Sequence, residues 1–214
     1  MPARVRTRNG VEVSAAAKLG VHASERIGMA IQFEAYSTEG ILRGTVGPGG
    51  RLGDLLETFA SLTVEDAVAM PLDGRPATRV ARVELVTDDL LVVVAPASTP
   101  APIHASWHEL ALRSGPYLVE GLLPTLPGFD PARALARPTG TFVLLASVHV
   151  ALAEDPAGGG ADHQFAWVNR YTVEQVQADI ELGIYFPGAT SILVSQGGRP
   201  EPAPAGPPSP AVST

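Results

Sequence analysis

Three short patterns in this chain occur twice, in the same order and at nearly the same distance. His22-Ala23-Ser24 recurs as His104-Ala105-Ser106. Tyr36-x-x-Glu39-Gly40-Ile41-Leu42 recurs as Tyr117-x-x-Glu120-Gly121-Leu122-Leu123. Thr58-Phe59-x-x-Leu62 recurs as Thr141-Phe142-x-x-Leu145. The offsets are 82, 81 and 83 residues. Collinear matches at a drift of one residue point to an internal duplication. Each unit then has about 80 residues, enough for a small domain with its own core. Two copies are too few for a solenoid.

The 214 residues divide accordingly. Residues 1–24 form a basic arm, 25–94 the first unit and 95–103 a Pro/Ala linker (APASTPAPI). Residues 104–177 form a second, diverged unit, and 178–197 a closing segment. The Pro-rich tail, 198–214, holds six of the twenty prolines. It carries too little apolar bulk to offset the entropy of ordering it, so it is expected to be disordered.

Within the first unit, alternate apolar residues from Ile27 to Phe33 predict a half-buried strand. Tyr36 to Val46 continues extended, with Gly40 and Gly44 as bend or bulge sites. Leu52, Leu55, Leu56 and Phe59 fall at helical spacing, which predicts a short helix after the loop Gly47-Pro48-Gly49-Gly50. Val64 to Leu72 alternates, and Asp73-Gly74 is a hairpin turn signal. Val80 to Val86 and Leu90 to Val94 are β-branched runs separated by Thr87-Asp88-Asp89. The second unit offers strands at 110–112, 117–126, 142–152, 165–168 and 172–176, and a helical remnant at 131–137. A flexible loop is expected at 154–161 (EDPAGGGA). About five short strands and one helix per unit predict a mostly-β or α+β fold, as two tandem bent sheets or partial barrels.

The first unit resembles an uncharacterised bacterial family of small β-rich domains. The resemblance rests on Glu39-Gly40-Ile41-Leu42, Arg51-Leu52-x-Asp54-Leu55-Leu56, Phe59-x-x-Leu62, Asp66-Ala67 and Asp73-Gly74. The family pattern has Ser before the Asp and Asn soon after the Leu-Leu, where this chain has Gly53 and Glu57-Thr58. The second unit keeps only the Glu-Gly-x-Leu and Phe-x-x-Leu parts. The resemblance implies a fold and no catalytic site. The strand order also bears a loose likeness to Sm-like small barrels, which bind RNA. That likeness is at the level of fold alone.

Charge and composition exclude several functions. The net charge is −7. Residues 1–26 carry +3, so the remainder carries −10, which opposes binding to a phosphate backbone. Arg4, Arg6 and Arg8 could meet an anionic partner, although a solvated terminus explains them as well. With no cysteine there are no disulfides, thiolate metal sites or cysteine nucleophiles. No apolar run approaches the ~20 residues of a membrane helix, and no secretory h-region follows Met1. A cytoplasmic location is the expectation.

No hydrolase elbow, phosphate loop or zinc-protease motif occurs. The turn before Arg51 could offer amides to an anion, but it lacks the Lys-Ser/Thr ending. His104 and His108, beside Glu109, have no third ligand near in sequence, so no metal is assigned. Asp54 suits the first turn of the helix. Glu39 and Glu120, each beside a glycine, would occupy one slot in both units. Brought together at the seam, two carboxylates would split their pKa values and support acid–base chemistry. Tyr36 and Tyr117 read first as packing residues. The ligand and interface candidates are therefore Tyr36, Glu39, Arg51, Tyr117 and Glu120, with no cofactor. The expected function is a non-catalytic binding or scaffold module that takes a protein or small ligand at the seam. The alternatives are an enzyme using the carboxylate pair, and a weak nucleic-acid binder using the arginine arm.

Overall fold

The computed structural model describes residues 30–47, 50–96, 98–100, 104–128 and 140–194. The basic arm with Arg4, Arg6 and Arg8, the His22-Ala23-Ser24 match, the helix expected at 131–137 and the Pro-rich tail lie outside the described residues.

Ten antiparallel strands come in two runs of five. The first run is β1 (Ile31–Ser37), β2 (Gly40–Val46), β3 (Ser61–Pro71), β4 (Thr78–Val86) and β5 (Leu90–Val94). The second is β6 (Ser106–Ser114), β7 (Tyr117–Thr125), β8 (Phe142–Leu152), β9 (Asp155–Asn169) and β10 (Val173–Ala178). A short helix, α1 (Leu52–Thr58), connects β2 to β3, and β11 (Thr190–Leu193) pairs parallel with β10. All eleven join one open sheet in the order β11-β10-β6-β7-β8-β9-β5-β1-β2-β3-β4. The fold is mostly β, as the sequence predicts.

Three local expectations need correction. Across the described part of the strands expected at 27–33 and 36–46, residues 31–37 and 40–46 form a hairpin, β1–β2, turning at Thr38-Glu39. Phe33, Ala35 and Tyr36 are the buried residues of β1, and residues 27–29 of the expected first strand lie outside the described residues. The loop expected at 154–161 is largely part of β9. The ladder goes from Leu152↔Asp155 to Ala151↔Gly160, so only residues 156–159 are looped out. The five-strand runs are also not separate bodies. Val92, Val93 and Val94 of β5 pair with Val168, Trp167 and Ala166 of β9, and a single sheet crosses the boundary.

Packing reinforces that junction. The first core gathers Phe33, Ala35, Leu52, Leu55, Leu56, Leu62, Val64 and Val93, and takes in Phe142 from the second run. The second core gathers Leu112, Val119, Leu145, Val168 and Phe186, and takes in Tyr36, Leu91 and Val92 from the first. Side chains on β1 and β5 thus enter both cores. Helix α1 buries Leu52, Leu55 and Leu56. Its Glu57 carboxylate accepts the backbone amides of Thr141 (2.8 Å) and Phe142 (2.9 Å) at the start of β8. The linker is tied down where it begins, because Ala95 is buried and its amide donates to the Phe165 carbonyl.

The ladders shift register at matching places. Between Arg43↔Val68 and Thr45↔Glu65, β3 carries an extra residue, and Asp66 takes a positive φ of 50°. Between Glu120↔His149 and Leu122↔Ala146, β8 carries one, and Ser147 takes 49°. A second shift separates Tyr36↔Val92 from Ser37↔Leu90, and likewise Gln175↔Arg113 from Val173↔Ser114. Opposite the first pair of bulges stand Gly44 and Gly121. A β-carbon on Gly44 would come within 2.7 Å of the Glu65 carbonyl oxygen, and one on Gly121 within 3.2 Å of the Ala146 carbonyl oxygen. The backbones approach too closely for a side chain. Gly44→Ala is expected to cost about 1–3 kcal/mol by forced overpacking, and Gly121→Ala less. Chemical denaturation of both variants checks the order.

Candidate functional site

Two open grooves stand over the two bulges. The first is lined by residues 32–34 of β1, 43–45 of β2, 66 and 68 of β3, and 94–96 at the end of β5. The second is lined by 109–111 of β6, 120–122 of β7, 147 and 149 of β8, and 177–179 at the end of β10, with Trp107 and Val194 added. The strand pairings relate the two. The step is 77 residues over the first hairpin (Phe33 to Leu110, Gly44 to Gly121), 81 over the third strand (Asp66 to Ser147) and 83 over the fifth (Leu90 to Val173). With those steps, each of the eleven residues lining the first groove has its counterpart in the second.

The chemistry of the two floors differs. In the first groove Arg43 holds the Glu34 carboxylate through two bonds of 3.0 and 3.1 Å, and Asp66 stands opposite. In the second, Glu120 takes the place of Arg43, His149 that of Val68, and Asp179 that of Pro96. Glu109 adds a third carboxylate, with no Arg or Lys in the lining. The His149 Nδ1 lies 2.7 Å from an Asp162 carboxylate oxygen.

A polar chain runs from the first groove into the junction of the two runs. Tyr36 lies buried with its hydroxyl 3.1 Å from Glu34 Oε1 and 2.9 Å from His163 Nε2. A hydroxyl has one proton to give. Donation to the Glu34 carboxylate leaves the oxygen to accept from the Nε2–H of His163. Burial pushes the Tyr36 phenol well above its ordinary range, and the Glu34 charge adds to the effect. The Tyr117 ring meets that of Tyr36 edge to face at 5.2 Å between centroids. Burial pushes its phenol up to about 12, and its hydroxyl has no partner among the described residues.

The sequence candidates divide on these facts. Tyr36 and Tyr117 are brought together and pack the junction. Glu120 lines the second groove. Glu39 sits at the β1–β2 turn and lines neither groove. The expectation that Glu39 and Glu120 share one slot fails, because the ladders place Glu120 at the position of Arg43. Arg51 is the exposed residue before α1, and its carbonyl accepts the Leu55 amide. His108 bonds Thr125 Oγ1 through Nε2 at 3.1 Å, and His104 is an exposed turn residue. Among the described residues no three His, Asp or Glu converge as a metal would require. Sequence reasoning missed Glu34, Arg43, Asp66, His149 and His163. Gly44, read as a bulge site, was the one available signal for the first groove.

Compared with known protein families, curated proteins and solved structures, the chain matches none.

The His163 imidazole is pushed below the ordinary histidine range, first by burial, with Glu34 and Asp162 opposing the shift. The unfolded chain therefore binds this proton more readily than the folded one, so stability falls as pH drops through the ordinary value of about 6.5. His163→Gln removes the titration and keeps a side-chain donor. Its stability is expected to decline less than that of the wild type between neutral pH and about pH 5.5, by denaturant titration at each pH.

Proposed function

We propose that the protein is a non-catalytic binding module built by duplication of a small five-strand β unit, with one binding groove per unit. The observation that carries this reading is the correspondence of the eleven lining residues. Grooves related only by chance would not share every lining position at the steps set by the strand pairings. The order β5-β1-β2-β3-β4 and the order β10-β6-β7-β8-β9 support the same reading. So do the paired bulges, and the amides of Thr87 and Arg170, which bond the carbonyls of Ala60 and Thr141. The family resemblance fits this view, since its Leu52, Leu55 and Leu56 are the buried face of α1 and its Asp73-Gly74 lies in the β3–β4 turn.

The ligand-binding position is then each unit's own groove and not the seam, where Tyr36 and Tyr117 fill the space. The two grooves have diverged. The first pairs its Glu34 internally with Arg43, keeps the Asp66 carboxylate opposite, and suits a polar group. The second, with the Glu109 and Glu120 carboxylates beside Trp107, suits a cationic group with apolar surface. The carboxylate-pair enzyme gains no support, since Glu120 lines the second groove and Glu39 sits at the β1–β2 turn.

The test is amide chemical-shift mapping of the full chain with small aromatic, cationic and anionic probe compounds. The reading expects perturbations to cluster at Gln32, Gly44 and Asp66 or at Glu109, Gly121 and Ser147, with cationic aromatics such as tyramine favouring the second set. Perturbations confined to the seam or to the outer strands would contradict it.

A further inference from the structure

Strand β4 closes one end of the sheet and has β3 as its sole ladder partner among the described residues. Its register with β3 holds without a shift from Ser61↔Val86 to Ala69↔Thr78, so the outer edge is regular and unbulged. Edges of this kind are templates for a further strand unless something blocks them. Proline and bulges, two usual blocks, are absent from β4.

The residues along β4 are self-complementary. Val83 and Leu85 lean on the first core, which leaves Val80, Arg82, Glu84 and Val86 together on the opposite face. Val80 and Val86 are 42% and 48% exposed, unusual for valine on a sheet edge. In an antiparallel pair of identical strands, residues of the same face stand opposite each other. A two-fold axis at Val83 sets Val80 against Val86, Ala81 against Leu85 and Arg82 against Glu84, each twice. A two-fold at Arg82 would set that arginine against itself and Val80 against Glu84. One at Ala81 would set Val80 against Arg82. The Val83 centre alone matches both the charges and the exposed valines. Ser61 donates to Glu84 Oε1 at 2.6 Å and leaves the second carboxylate oxygen for a partner's arginine.

We propose that β4 pairs with β4 of a second copy of this chain, antiparallel about a two-fold axis at Val83. The two sheets become one continuous sheet, and every contact occurs twice, as in an isologous dimer. A single edge ladder is a small interface, so the association is expected to be weak, in the micromolar range or above.

The experiment is sedimentation equilibrium of the full chain over a wide concentration range. A monomer–dimer equilibrium between 22.2 kDa and twice that mass is expected. Arg82→Glu and Glu84→Arg each replace two opposite-charge pairs by two like-charge pairs. Each is expected to weaken self-association about tenfold or more. Mixing the two variants restores unlike pairs in every position, so a heterodimer of wild-type strength is expected. Should either variant misfold, amide exchange on the wild type serves instead, with protection of residues 80–86 rising with protein concentration. A chain that stays monomeric overturns the proposal. So do single variants that dimerise as well as the wild type, a mixture no stronger than its parts, or a trimer or larger ring.

Discussion

The ladder between β5 and β9 is the interaction on which the rest of this structure depends. It has three residue pairs, yet it turns two five-strand runs into one sheet. Because β5 is shared, its side chains must serve both cores. Leu90 and Val93 enter the first, and Leu91 and Val92 the second. The same junction brings Tyr36 of β1 against Tyr117 of β7 and His163 of β9. An unbroken aliphatic run, Leu90-Leu91-Val92-Val93-Val94, buried on both faces is the composition such a shared strand needs. Neither run could leave its partner without exposing apolar surface from both cores.

Function, on this account, grows out of a backbone irregularity. An extra residue in the third strand of each run forces a non-glycine into the left-handed region, and the neighbouring strand answers with a glycine. The bulge opens the ladder locally and leaves a groove between that strand and the end of the fifth. The grooves share their backbone, and single substitutions change their chemistry. Arg43 in one and Glu120 in the other invert the charge at the same point of the floor. Under the proposed duplication, a scaffold that keeps its strained positions and varies the side chains around them offers two specificities from one fold.

Much of the architecture was legible because it rests on local pattern. Leu52, Leu55 and Leu56 mark α1 by spacing alone, and the runs 80–86 and 90–94 mark β4 and β5. What depended on pairing between distant strands was not legible. The Tyr-x-x-Glu-Gly matches align at 81 residues, but the ladders relate those hairpins at 77. The second run has four more residues between its second and third strands, Gly121 to Ser147 against Gly44 to Asp66, and a sequence offset cannot show where they were inserted. Thus Glu39 and Glu120 look equivalent in sequence and are not in space. Gly158, Gly159 and Gly160 read as a loop by composition, while the β8 ladder takes Asp155, Gly160 and Ala161 into β9 and leaves only 156–159 looped out. Ser147 belongs to a type with no preference for positive φ, and Asp66, of a type that does visit it, sits inside an alternating run that reads as an unbroken strand, so neither bulge was announced.

The claim that two units share one set of strand registers is open to a direct measurement. Cross-strand nuclear Overhauser contacts in an isotope-labelled full chain report residue pairing one pair at a time. The account predicts contacts for Arg43–Val68 and Thr45–Glu65 in one unit, and for Glu120–His149 and Leu122–Ala146 in the other, with the shift at the same step of each ladder. An unshifted ladder in either unit, or a shift at non-corresponding steps, would contradict it.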